Sequence, residues 1–309
     1  MKKRMMFVAV SAMMLSSLMM ACNEQESAYP GYEKTQDGLY YRFYTQNEGE
    51  LPQLYDVLET SVTCVVNDTN VIIPVMDNLF QLIEPRYAGD IFSGMAMMHK
   101  GDSASFIVNI DSTFRTFFGQ PTMPSQFLPT DVMRFEIKMK DFCSEKEFAH
   151  RQAAEIKGQM TERIEQMKAN NPEETEKAAQ TLDAFLKKNK IDVQPTESGL
   201  YYVMTEAGDG QKPEVGQLVK VHYTGKLLDG TVFDSSVERG EPIQFPLGLG
   251  RVIAGWDEGI ALMSKGEKGV LYIPYYLAYG DRGAGGDIKP FDNLMFEVEL
   301  VDFEDVKHE

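Results

Sequence analysis

The sequence has few of the residues from which metal, disulfide and redox sites are built. It contains three cysteines, four histidines and one tryptophan in 309 residues. An EF-hand loop, a Gly-x-Ser-x-Gly elbow and a phosphate-binding loop are all missing from the sequence. The histidines are scattered without the spacing of metal ligands, at His99, His150, His222 and His308. We therefore expect neither a metal nor another cofactor.

Positive charge is also scarce. Thirty Lys and Arg residues stand against 47 Asp and Glu residues, which gives a formal net charge of −17 at pH 7. Binding to the phosphates of nucleic acid requires clustered Lys and Arg side chains, so this balance argues against a nucleic-acid partner. It is typical of a well-solvated acidic surface.

An apolar run occurs at the N-terminus, where residues 1–21 have the pattern of a signal peptide. A basic start is followed by an apolar segment that serines interrupt, too short for a membrane span of about 20 residues. Ala21 precedes Cys22, which resembles the signal of a bacterial lipoprotein. The resemblance implies lipid on Cys22 and an anchored location in the cell envelope, at the outer membrane on its periplasmic or surface side. The alternative is ordinary secretion with a free Cys22. Residues 22–36 are expected to form a tether.

One pattern occurs twice in the chain. Three stretches recur in the same order at offsets of 161, 165 and 161 residues. The pairs are Gly38–Tyr41 with Gly199–Tyr202, Gly94–Gly101 with Gly259–Gly266, and Asp131–Phe142 with Asp292–Phe303. Self-similarity at so long a period predicts two copies of one fold. We place the copies at residues 37–143 and 191–306.

The second copy carries the more informative motifs. They are Val219–Gly225, Gly230–Ser236, Gly248–Gly259 and Leu277–Gly280. In this order and spacing they resemble the FKBP-type peptidyl-prolyl cis-trans isomerase family. The resemblance implies an α+β fold in which an antiparallel sheet wraps around a short helix, here near Gly255–Met263. It also implies an enzyme that rotates X–Pro peptide bonds, with proline-containing polypeptides as partners.

The resemblance also implies an apolar cup that holds the proline ring. Its catalytic residues would be Tyr223, Phe233, Asp234, Trp256, Tyr279 and Phe296, and its substrate-binding residues Phe245, Val252, Ile253 and Ile288. Trp256 would form the floor, and the Ile253 N–H and the Tyr279 hydroxyl would bind substrate carbonyls. Arg239 would pair with Asp234. Whether Asp234 touches the substrate or only shapes the cup is left open.

The first copy lacks these features. Ile91 stands where Trp256 is expected and Phe114 where Tyr279 is expected, and no Phe-Asp pair occurs near residues 65–77. The sequence therefore predicts a degenerate copy. Two interpretations remain: a chaperone-like or partner-binding surface, and a packing module without activity.

A helical linker is predicted at residues 144–190. Ser144 and Glu147 form a capping box, and Asn171 followed by Pro172 indicates the start of a second helix. An apolar stripe follows the first helix at spacings of three or four, through Ala149, Ala153, Ile156, Met160, Ile164 and Met167. The stripe is typical either of a homodimer contact or of packing against a flanking domain.

Two functions follow from these patterns. The first is a lipid-anchored isomerase that acts on X–Pro bonds of exported or envelope proteins. The alternative is a non-catalytic chaperone or assembly factor that binds unfolded envelope proteins.

Cys64 is expected within a strand, and Cys143 is expected past the last strand of the first copy. They are therefore predicted to be separate thiols.

Overall fold

A computed structural model describes residues 28–306 of the chain. The chain divides into two compact units. The first contains the residues up to 141 except residues 55–57, and the second contains residues 55–57 and the residues from 142 onward. Both combine a β-sheet with helices, which confirms the predicted α+β class with two antiparallel sheets. The signal peptide and Cys22 lie outside the described residues.

The first unit is built on a six-stranded sheet of order β1-β2-β5-β6-β3-β4. The strands are β1 Glu33–Lys34, β2 Tyr40–Thr45, β3 Val57–Val66, β4 Asn70–Gln81, β5 Ser103–Val108 and β6 Met133–Cys143, and the helices are α1 Ile91–Met95 and α2 Ile110–Thr116. Along β3, buried and half-buried residues alternate through all ten positions, as expected for a strand with one face on the core.

The sheet of the first unit begins earlier than predicted. Strand β1 pairs with β2 and lies within the segment that was expected to be a tether. The ring of Tyr29 also contacts that of Tyr40 edge to face, with 4.8 Å between centroids. Backbone hydrogen bonds and aromatic burial therefore attach residues 29–34 to the sheet.

Cys64 and Cys143 are both buried and are not joined by a disulfide, as predicted. Burial raises the pKa of Cys64 to about 12, so this thiol stays protonated at neutral pH. Cys143 is the last residue of β6 and not a residue beyond it, because β6 extends one residue past the end of the Asp131–Phe142 motif.

Two helices follow, α3 Glu145–Asn170 and α4 Pro172–Lys188. The Ser144 hydroxyl caps α3 by accepting the Glu147 N–H at 3.2 Å, as predicted. Asn171 was expected to cap α4 with its side chain, but that amide donates to the Met167 carbonyl at 3.0 Å. The same carbonyl, in the last turn of α3, also accepts the Asn171 backbone N–H at 3.1 Å.

Helices α3 and α4 pack on the sheet of the second unit. Ile164 of α3 is buried in the same apolar cluster as Trp256, and Lys168 lies 4.1 Å from the ring centroid of Tyr276. On α4, the Ala178 carbonyl accepts a hydrogen bond from the Asn293 side chain at 2.7 Å. The apolar stripe of α3 thus contacts the domain that follows it in the chain.

The second unit has a sheet of order β10-β8-β12-β11-β7, with β9 paired to β8. Its strands are β7 Tyr201–Glu206, β8 Leu218–Leu227, β9 Val232–Ser235, β10 Ile243–Pro246, β11 Lys268–Ile273 and β12 Leu294–Glu304, all in antiparallel pairs. Its helices are α5 Ser236–Arg239, α6 Ala254–Leu262 and a 3-10 turn at Tyr275–Leu277.

Helix α6 is held close to the sheet by two glycines one turn apart. A Cβ on Gly255 would lie 2.5 Å from Ile273 Cγ2, and one on Gly259 would lie 2.6 Å from Leu271 Cδ2. Larger side chains at these two positions would push α6 away from the sheet. The two glycines therefore determine how close Trp256 of α6 lies to the sheet. Between residues 28 and 306, no helix has the length and apolar character needed to cross a membrane.

Candidate active site

A cavity of about 530 Å³ opens beside α6 in the second unit. Eight of the residues predicted from the sequence line it: Tyr223, Phe233, Asp234, Val252, Ile253, Trp256, Tyr279 and Phe296. They come from β8, β9, the start of α6, the loop after the 3-10 turn, and β12. Residues more than 70 positions apart thus meet in one concave surface.

The indole of Trp256 is the centre of an aromatic cluster. Its centroid lies 4.9 Å from that of Tyr223 and 5.3 Å from that of Phe296, and both pairs are nearly perpendicular at 86°. Only 3% of Trp256 is exposed, so it forms the floor of the cavity and not its rim. Phe245 does not line the cavity; its ring lies against the indole at 5.9 Å and supports the floor from within the core.

Gly225 makes room for two walls of the cup. It lies on β8 opposite Asp234 of β9 and opposite Phe296 of β12. A Cβ at this position would lie 2.6 Å from Phe233 Cε2 and 2.8 Å from Phe296 Cε1. The glycine at the end of the Val219–Gly225 motif is therefore required by the contact between these two rings.

Asp234 belongs to a hydrogen-bonded cluster. It accepts from the Tyr223 hydroxyl and from Arg239, as predicted, and the Arg239 Nη2 also donates to the Tyr223 oxygen at 3.0 Å. Burial acts to raise the pKa of Asp234, but the bonds from Tyr223 and Arg239 outweigh it and hold the pKa below its ordinary value. Burial and the Asp234 carboxylate raise the pKa of Tyr223. At neutral pH the cluster thus holds a carboxylate, a phenol and a guanidinium.

Hydrogen-bond donors remain free beside the apolar surface. The N–H of Ile253, just before α6, has no acceptor within residues 28–306. The Trp256 Nε1 is buried and also lacks a partner in the described part of the chain. Tyr279 is 40% exposed at the cavity. The Ile253 N–H and the Tyr279 hydroxyl can bind the carbonyl oxygens of a peptide that occupies the cup.

The loop before α6 is fixed by Asp257, which the sequence analysis did not identify. Its carboxylate accepts the N–H groups of Gly248 and Gly250, each at 2.9 Å. Burial raises the pKa of Asp257, although these two bonds oppose the shift. One feature of the sequence could have indicated this role. Asp257 is an acidic residue in the first turn of the predicted helix, shortly after Gly248–Gly250.

Other lining residues were also missed as parts of the site. They are Met160, Arg163, Ile164 and Met167 of α3, together with Arg251 and Tyr276. The sequence showed the apolar stripe of α3 but not which surface it covers. Ile288, predicted to contact substrate, lies outside the cavity lining; it is buried and exchanges two backbone hydrogen bonds with Ala284.

Comparison with known proteins identifies the family. The family model of FKBP-type peptidyl-prolyl cis-trans isomerase matches residues 209–301. FK506-binding protein 1 of Dictyostelium discoideum is 51% identical over 105 residues, which are 34% of this chain and 98% of that protein. The chain belongs to the FKBP-type peptidyl-prolyl isomerase family. A further family model, of the domain amino terminal to FKBP-type isomerases, matches residues 117–204 and so includes α3 and α4.

Two further FKBP-type relatives are bacterial. The 22 kDa isomerase of Escherichia coli is 53% identical over 120 residues, 38% of this chain and 57% of that protein. The crystal structure of FkpA from Escherichia coli has 35% identity and a TM-score of 0.40, covering 54% of this chain and 76% of the other. The chain spans between about half and two thirds of the length of the first curated relatives it matches.

Proposed function

We propose that the second unit is a peptidyl-prolyl cis-trans isomerase that binds proline in the cup above Trp256. The proposal depends on one observation: in an FKBP-type domain, an apolar aromatic floor lies beside the free Ile253 N–H and the exposed Tyr279 in an open cavity. A proline ring needs the apolar surface, and the carbonyls on either side of it need the donors.

The chemistry requires no covalent step. Amide resonance opposes rotation of an X–Pro bond with a barrier of roughly 18–20 kcal/mol. The twisted amide is less dipolar than the planar one, so a dry apolar cup stabilises it relative to the planar form. Hydrogen bonds from Ile253 and Tyr279 would hold the peptide in the bent shape of the transition state. About 5–7 kcal/mol of such stabilisation gives a roughly 10⁴–10⁵-fold acceleration.

Exchange NMR on a short X–Pro peptide tests this proposal. We expect the full chain to accelerate isomerisation, and Tyr279→Phe to lower kcat/KM by about two- to tenfold because one hydrogen bond is lost. The matched control is Tyr201→Phe, which removes a hydroxyl from a residue of β7 that does not line the cavity. Absence of acceleration by the full chain would rule out the proposal.

We propose further that the protein acts on exported or envelope proteins while anchored by lipid on Cys22. The basic and apolar N-terminal sequence supports this, and two or more acyl chains would hold a protein stably at a membrane. Cys22→Ser should move the protein from the membrane fraction to the soluble fraction, and mass spectrometry should find no lipid on it. Equal membrane content in both forms would contradict the anchor.

A chaperone-like activity of the first unit is a second proposal. Three apolar side chains on one face of the edge strand β4 are exposed: Val71 by 61%, Val75 by 77% and Leu79 by 50%. Apolar surface on an edge strand favours contact with unfolded chains. Val75→Lys should weaken suppression of aggregation of a proline-free client protein. Unchanged suppression would favour the packing module.

Self-association through the helical linker is a separate proposal. Most residues of α3 are exposed, and the apolar stripe that suggested a dimer already packs on the second unit. A dimer would therefore use another face of α3. Sedimentation equilibrium decides the question: a monomer at all concentrations removes the proposal.

A further inference from the structure

One wall of the cup comes from outside the segment that matches the isomerase family model. Met160, Ile164 and Met167 of α3 line the cavity at helical spacing, whereas the matched segment begins at residue 209. Contact with the loop that carries Tyr279 is close: a Cβ on Gly280 would lie 2.9 Å from Met167 Cε. Helix α3 is therefore part of the site's surface.

The same wall brings positive charge to the cavity. Arg163 of α3 and Arg251, before α6, are exposed and line the cup. Neither has an ion-pair partner among residues 28–306. Asp234 is the single carboxylate among the lining residues, and it already pairs with Arg239. Two uncompensated guanidinium groups therefore lie at the cup, in a chain whose net charge is −17.

We propose that Arg163 and Arg251 form a subsite for a carboxylate on a residue next to the substrate proline. The isomerase would then prefer X–Pro segments that carry Glu or Asp beside the proline. Guanidinium groups bind carboxylates with paired, charge-assisted hydrogen bonds. The neighbouring Met160 and Met167 side chains can pack against the alkyl part of the acidic residue. This inference rests on the proposed function, since it concerns the substrate of the same cup.

Matched peptides test the subsite. Each pair differs only by Glu or Gln, placed immediately before or immediately after the proline. We expect the wild-type protein to show a higher kcat/KM for one Glu peptide than for its Gln partner at low salt, and a smaller ratio at high salt. Arg163→Gln and Arg251→Gln should each lower this Glu/Gln ratio by about two- to fivefold, the range of an exposed ion pair.

A charge-matched control separates local contact from the overall field of the protein. Lys157→Gln removes the same charge from an exposed position of α3 that does not line the cavity. It should leave the Glu/Gln ratio at the wild-type value. The subsite is overturned if the wild-type ratio is one, if all three variants change the ratio equally, or if Arg163→Gln accelerates both peptides equally because α3 merely narrows the cup.

A binding measurement keeps this test separate from catalysis. Trp256 is the only tryptophan of the chain and lines the cavity, so its fluorescence reports occupation of the cup. If no peptide is isomerised but Glu peptides bind more tightly than Gln peptides in an arginine-dependent way, the proposed function fails and the subsite stands. If peptides are isomerised and bound without any Glu/Gln difference, only the subsite fails.

Discussion

At the scale of single residues, the hydrogen-bonded cluster of Asp234, Tyr223 and Arg239 depends on the ionised state of Asp234. Hydrogen bonds from Tyr223 and Arg239 exceed the effect of burial and leave its pKa below 3.8. A carboxylate with a lowered pKa contributes its stabilisation above the ordinary aspartate pKa and loses it as the pH falls through the lowered value. The cluster should therefore remain intact at neutral and mildly acidic pH.

The pH profile of isomerisation checks this argument. We expect kcat/KM to stay constant from neutral pH down to the ordinary aspartate range, with a decline only below it. Arg239→Gln should shift that decline to higher pH, because it removes one of the interactions that lower the pKa. Circular dichroism at each pH confirms that the chain is folded. The same decline of kcat/KM at low pH in both proteins would show that the Asp234–Arg239 pair does not determine the pH dependence of isomerisation.

Gly225 gives a second prediction at this scale. An Ala Cβ would overlap both Phe233 and Phe296, so Gly225→Ala should cost about 1–3 kcal/mol of unfolding free energy and lower kcat/KM. Denaturant titration and the peptide assay measure the two effects. Gly286→Ala is the control, since a Cβ at that position would have no heavy atom within 4 Å. Equal stability of both variants would contradict the close approach of the rings.

At the scale of elements, the two units differ in the strands that follow β3 and β8. In the second unit, α5 divides β9 from β10, and β9 presents Phe233 and Asp234 at the cavity. In the first unit, the corresponding position after β3 is taken by the twelve-residue strand β4, which has no such interruption. A continuous strand alternates its side chains between two faces, so it cannot supply the wall that β9 supplies.

The long helix α3 offers a stability prediction at the same scale. Gly158 lies in its middle and is exposed, and a Cβ there would have no heavy atom within 4 Å. Gly158→Ala should increase the unfolding free energy by about 0.5–1 kcal/mol, because glycine loses more backbone entropy in a helix than alanine does. Thermal unfolding followed by circular dichroism measures the effect. A lower midpoint would mean that position 158 is not an exposed helical site.

At the scale of the whole molecule, the aromatic cup around Trp256 lies in the second unit. Trp256→Leu should lower the kcat/KM of the full chain by about tenfold or more, because the floor of that cup is lost. Ile91→Val, the substitution at the corresponding position of the first unit, should leave the rate unchanged. Activity that survives in Trp256→Leu and disappears in Ile91→Val would place catalysis in the first unit.

The sequence by itself determined the α+β class, the repeat and most of the cup. The repeat follows from three recurring stretches, whereas the α+β class and the cup follow from the ordered motifs of the second copy and the family that they resemble. The pairing of Arg239 with Asp234, which the resemblance implied, is also present.

The tertiary structure alone decided what lies against these elements. The sequence showed that α3 has an apolar stripe but not that Met160 and Met167 reach the cavity, and it placed Phe245 and Ile288 in a site that they only support. Periodicity records which face of an element is buried. The partner of that face depends on contacts between residues far apart in the chain, and these form only when the whole domain packs.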